Sequence, residues 1–334
     1  MLYYIVPYII LIISSLLSIK VRGSGFKLLF FVGLIPAIFI CSFRGLVGQD
    51  TGLYLYWISL PSDESSLEIG FKIYAYIVQL FEINYQYAIN FIGFTISIIL
   101  FFFLSKSKHH FLIFVFLIFP IFYYDMTMNG IRYGLAFSLS IPFILESQSN
   151  FLKITTSKFF YFLALLNHNS SSLFLTLKLS LNLKFKYFVF LLISSAAIFY
   201  FLYEYILKKF NDYSNEALPG AFSGIQPLVL SILVVLINNY FFKKNITRNL
   251  YILSIQLLCF LITQFSWAGI RFQFLVLFFL LILIINDKYC KNYSSYMLLL
   301  FFVGLIGFLF KIRNMLNYYG EPPTPFLPYL FIWN

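Results

Sequence analysis

Apolar and polar residues fall in long alternating blocks along this chain. Mostly apolar runs, each with the stamp of a helix in or across a bilayer, occupy Leu2–Ile19, Phe26–Ser42, Tyr87–Leu104, Phe111–Tyr124, Arg132–Leu145, Phe159–Leu177, Phe185–Leu207, Pro227–Phe242, Leu250–Gln264, Arg271–Ile285 and Tyr293–Phe310. A further stretch, Leu67–Phe81, carries Glu68 and Lys72 and is short for a span, so it predicts an amphipathic helix lying in the membrane interface. Heptads and internal repeats are absent. The pattern predicts an all-α integral membrane protein, one polytopic domain over residues 1–334 with about 10–12 transmembrane or re-entrant helices.

Composition sharpens this picture by exclusion. With 61% hydrophobic and 10% charged residues, the chain falls well below the charge content of soluble domains, about 25%. A soluble enzyme is excluded. The net charge of +11 is scattered between apolar runs and forms no basic face, so nucleic acid is not an expected partner. Cys41, Cys259, Cys290 and His109, His110, His168 have no metal-ligand spacing. Asp50 stands alone and Asp63 and Glu64 adjoin in a polar turn, so no paired carboxylate for a metal is present in the pattern, and no cofactor is expected.

Basic residues also orient the chain, because Lys and Arg collect on the cytoplasmic side. If every run crosses once, the 23 basic residues divide almost evenly between the two sides. If Phe159–Leu177 instead enters and leaves from the cytoplasm, bent around Asn167-His168-Asn169-Ser170, most of them lie inside. That topology puts the N-terminus outside, with external loops at 43–86, 125–131, 208–224 and 265–270 and a non-helical external tail at 313–334. It also requires irregular backbone at His168, which is tolerated only against protein or a wet cavity.

Charge at membrane depth is costly and marks candidate sites. Arg44, Arg132 and Arg271 all fall at expected external ends, against the positive-inside trend, and each has a glycine close by: Gly45, Gly130 and Gly269. One such arginine alone reads equally well as snorkelling to headgroups. Three together point to an anion, and the planar guanidinium fork suits a diphosphate held at the membrane surface. Asp50 has two readings: the N-cap of a short helix, or an acceptor that orients an arginine or a sugar hydroxyl. Tyr54 and Glu68 are weaker candidates beside it. His168 lies in a run of six polar residues, where it can be a bonded core group, a general base or a phosphate ligand.

These residues resemble the EpsG-type branch of the Wzy polysaccharide polymerases. Its Arg followed by Gly-x-Asp-Thr and Tyr is similar to Arg44, Gly48, Asp50, Thr51 and Tyr54, and its Glu-x-Gly-Phe element to Glu68, Gly70 and Phe71. An Asn-x-x-Arg opening matches Asn129 and Arg132; a downstream His and a late Arg match His168 and Arg271. Gln49 and Tyr133 depart from the pattern, which bears on sugar preference. The resemblance implies a GT-C-like fold and a metal-independent glycosyltransferase of the bacterial cytoplasmic membrane, of the O-antigen, capsule or exopolysaccharide type. It would take undecaprenyl-diphosphate-linked oligosaccharides as donor and acceptor at the outer face, beside a flippase and a chain-length regulator. Arg132, Arg271 and His168 would be catalytic; Arg44, Asp50, Tyr54, Glu68 and Asn129 would bind substrate. The competing class is a flippase or transporter gripping the lipid phosphate, and a membrane acyltransferase is a third.

Overall fold

A computed structural model describes residues 1–60, 68–145, 151–182, 220, 222–287, 292–317 and 324–333. Among these the chain is helical, and the only strand-like pairings are the isolated bridges Arg44 to Phe331 and Thr324 to Leu327. It divides into two compact units, residues 1–171 with 285–334, and residues 172–284. The span expected at Phe185–Leu207 and most of the loop 208–224 lie outside the described residues.

The first unit opens with the hairpin of α1 (Leu2–Lys20) and α2 (Gly25–Ser42), turned at Gly23. The expected external segment after α2 holds two helices, α3 (Thr51–Ser59) and α4 (Ile69–Leu80). α4 buries Phe71, Ala75 and Val78 and leaves Ile69, Ile73, Tyr76, Ile77 and Leu80 exposed. Apolar residues on the open face suit the interfacial position expected of this helix. Asn84 then caps α5 (Tyr85–Leu104) by accepting from the backbone of Gln86 and Tyr87.

The next run departs from expectation. α6 (Lys108–Ile113) passes into π-helix at Phe114–Tyr123, which resumes at Asp125–Asn129. The loop expected at 125–131 is therefore helical as far as Asn129, and Gly130 alone separates it from α7 (Ile131–Leu145). This π segment is the core of the unit: every residue of Phe114–Tyr123 is buried. α5 comes close enough for a Cβ on Gly93 to meet the Thr127 carbonyl at 2.6 Å, the small-residue contact that lets membrane helices approach.

α8 (Phe151–Asn167) ends at His168, and a 3-10 turn at Asn169–Ser171 follows. The helix breaks where the polar run predicts it. The last helix of this unit, α13 (Tyr293–Asn317), packs along the π segment and runs past the expected tail start at Arg313. Its buried Lys311 pairs with Asp125. Residues 324–333 then strap the end of the α1–α2 hairpin. Gly45 donates to the Leu330 carbonyl at 2.8 Å, Ile332 to Phe43 at 2.9 Å, and Gly48 to Pro325 at 2.7 Å.

The second unit contains α9 (Ser172–Asn182), α10 (Ile225–Phe241), α11 (Ile246–Thr263) and α12 (Ala268–Ile284). Side-chain amides join its helices: Asn249 Nδ2 donates to Asn239 Oδ1 at 2.6 Å, and Gln273 Nε2 to Thr263 Oγ1 at 2.7 Å. Five described helices are long and apolar enough to cross a membrane, at Leu2–Lys20, Gly25–Ser42, Tyr85–Leu104, Lys243–Thr263 and Tyr293–Leu316, and shorter apolar helices accompany them. The fold is that of an all-α, multi-pass membrane protein.

Candidate functional site

Three ionisable side chains from distant parts of the first unit meet at one point. Glu68 occupies the N-cap position of α4, but its carboxylate caps nothing. Its Oε2 instead pairs with Arg132 Nη1, on the first turn of α7, and its Oε1 lies 3.0 Å from Nδ1 of His168 at the break after α8. The His168 contact is at ion-pair distance but off the line of a good hydrogen bond. Burial by itself would raise the Glu68 carboxyl; the adjoining His168 and the Arg132 guanidinium more than offset that and hold it at about 2. Glu68 is therefore a carboxylate at any physiological pH.

Gly70 permits this meeting. A Cβ there would stand 2.8 Å from the Leu166 carbonyl and 3.1 Å from Asn167 Oδ1, so the start of α4 reaches the end of α8 only without a side chain.

Aromatic rings enclose the arginine. The Arg132 guanidinium carbon lies 4.6 Å from the Trp57 ring centre, 5.7 Å from that of Phe71 and 5.9 Å from that of Tyr54. Such contacts favour a cation and fix its plane. Burial, then the charge of Asp50, pushes the Tyr54 hydroxyl up to about 12 against the opposing Arg132, so it stays protonated. Arg132 Nε is buried without a hydrogen-bond partner, a donor still to be satisfied.

Asp50 and Asn129 adjoin this cluster, since the backbone N–H of Asp50 donates to Asn129 Oδ1 at 3.3 Å. Asp50 takes the N-cap position of α3, yet its side chain makes no capping bond. That favours the orienting reading over the cap.

Arg44 lies in the interior of the first unit. Expected to grip substrate, it is fully buried, with Nη1 donating to the Val47 carbonyl at 2.8 Å, to Thr51 Oγ1 at 3.2 Å and to the Met128 carbonyl, and Nε donating to Asn90 Oδ1 at 3.3 Å. Its charge ties the 47–51 loop to the end of the π segment, underneath the site. Gly48, at φ +103°, completes that loop in the left-handed region. Arg271 belongs to the second unit, exposed on the first turn of α12.

Sequence reasoning passed over Trp57, the Asp125–Lys311 pair and Asn167 as a site residue. The charges of Asp125 and Lys311 at the ends of apolar runs were a usable signal; Trp57 had none in a chain that is 22% aromatic. Among the described residues no three His, Cys, Asp or Glu side chains converge to hold a metal ion.

An arginine, a carboxylate and a histidine thus gather where the first unit's connecting segments meet, in a chain with helices long and apolar enough to cross a membrane. The EpsG family matches residues 26–331, and the chain belongs to that family of Wzy-type polysaccharide polymerase-like proteins, which implies a glycosyltransferase-like polymerase. No curated protein and no solved structure matches it.

Proposed function

We propose that this protein polymerises undecaprenyl-diphosphate-linked oligosaccharide repeat units at the outer face of the bacterial cytoplasmic membrane. The observation that carries the reading is Glu68 held between Arg132 and His168. Arg132, with an unsatisfied Nε and a guanidinium plane set by three rings, binds the donor diphosphate and stabilises the charge that develops as the glycosyl–phosphate bond breaks. His168 sets its Nδ1 against the Glu68 carboxylate, which leaves Nε2 for substrate. That nitrogen takes the proton of the attacking acceptor hydroxyl as the new sugar–oxygen bond forms. The proton leaves for solvent, and the lipid diphosphate departs.

Asp50, Asn129 and Tyr54 line the acceptor side, and Arg44 holds the loop that carries Asp50. Arg271 is a phosphate contact within its own unit, tested by its own substitution. Charge compensation is assigned to arginine and needs no divalent cation. Lysine cannot reproduce the arginine fork. Arg132→Lys should therefore insert normally but lose about a hundredfold in polymer formation, the size of effect seen when one preorganised donor is removed. Normal polymer length from Arg132→Lys, in cells and with purified protein, would overturn the assignment.

A further inference from the structure

Beside Arg132 the first unit holds a cleft of about 300 Å³ between α4, α5 and α7. Ile73 and Ile77 form one wall, Phe91 and Ile92 the other, and Leu135 the floor, while Arg132 and Asn167 supply the polar end. The hydroxyls along the walls are already paired with backbone carbonyls. Tyr74 donates its hydroxyl to the Ala88 carbonyl at 2.7 Å, and Thr95 donates to the Phe91 carbonyl at 2.8 Å. What remains is an apolar trough ending in a cation. Ile73, Ile77 and Phe91 are 53%, 42% and 58% exposed, so the trough opens along the faces these helices present to lipid.

We propose that this trough binds the head-proximal part of the substrate's polyisoprenoid chain, with the chain's diphosphate at Arg132. The inference rests on the reading of Arg132 as a diphosphate ligand. It adds where the lipid lies and which residues select it. Charge complementarity chooses the occupant: a chain carrying an anion at its first carbon satisfies both the apolar walls and the unpartnered Nε of Arg132. The trough is too small for a whole long chain. The distal units would run on into the bilayer between α4 and α5.

The test uses the full chain in phosphatidylcholine nanodiscs and a polyisoprenyl diphosphate without sugar, carrying a diazirine on its first isoprene unit. Adducts should map to residues 69–80 and 85–104, and unlabelled polyisoprenyl diphosphate should compete while phosphatidic acid should not. Thr95→Trp, which fills the trough, should lower adduct yield about tenfold, as expected when roughly two buried methylene contacts are lost. If that variant fails to reach the membrane, Ile73→Ala removes part of the wall without adding bulk and should also lower the yield. Adducts spread evenly over the lipid-facing helices, or equal competition by phosphatidic acid, would overturn the proposal. The same nanodiscs given a lipid-linked repeat unit separate the two readings. A polymer ladder with scattered adducts sinks the trough alone; focused adducts with no ladder sink the polymerase alone.

Discussion

At the scale of residues, the ion pair at Glu68 has a consequence for pH. Its folded-state value of about 2 lies below the ordinary 4.5, so its stabilisation is complete above about pH 4.5 and fades as pH falls towards 2. Thermal unfolding of the wild type and Glu68→Gln in detergent should show a constant wild-type advantage from pH 7 to about 5, shrinking only below that. An advantage that stays unchanged as pH falls from 5 towards 2 would mean that the Glu68 carboxyl is not held below its ordinary range. Legibility at this scale followed charge. Arg132, His168 and Glu68 stood out as ionisable groups in apolar surroundings, but that they meet was hidden, because α4, α5, α6 and the π segment lie between Glu68 and Arg132. Arg44 shows the converse. Its charge was visible; its burial depends on the carbonyls of Val47 and Met128, which no local pattern announces.

At the scale of elements, Gly70 sets the distance between α4 and α8. Gly70→Ala should keep membrane expression and cost most of the polymer-forming activity, because its Cβ must push the Leu166 carbonyl away and draw Glu68 from His168. Wild-type activity in Gly70→Ala would show that the close approach is dispensable. The helices themselves were largely readable, since apolar runs in a bilayer have little choice but helix. The short helix α4 and the break at His168 were readable for the same reason: Glu68 and Lys72 shorten one run, and six polar residues interrupt another. The π segment was not. A run apolar on every side carries no phase to distinguish a π from an α turn. The strap at 324–333 was expected only as a non-helical cap, and its backbone bonds to Gly45 and Gly48 clamp the loop that bears Arg44.

At the scale of the molecule, the account makes a claim about sidedness. Glu68, Arg132 and His168 meet within one unit, with Asp50 bonded to Asn129 a few residues before Arg132, so a single side of the membrane is expected to serve them all. The re-entrant topology expected from the basic residues would return the chain after His168 to the cytoplasm. A single cysteine replacing Leu181 should then be labelled by a membrane-impermeant thiol reagent only from the cytoplasmic face; labelling from outside would remove the re-entrant topology. The central claim is chemical. Purified protein reconstituted with a defined undecaprenyl-diphosphate-linked repeat unit, in the presence of a chelator, should yield a ladder of products at successive repeat lengths, absent with Arg132→Lys. Single repeat units alone from the wild type, or a ladder that Arg132→Lys leaves intact, would contradict it.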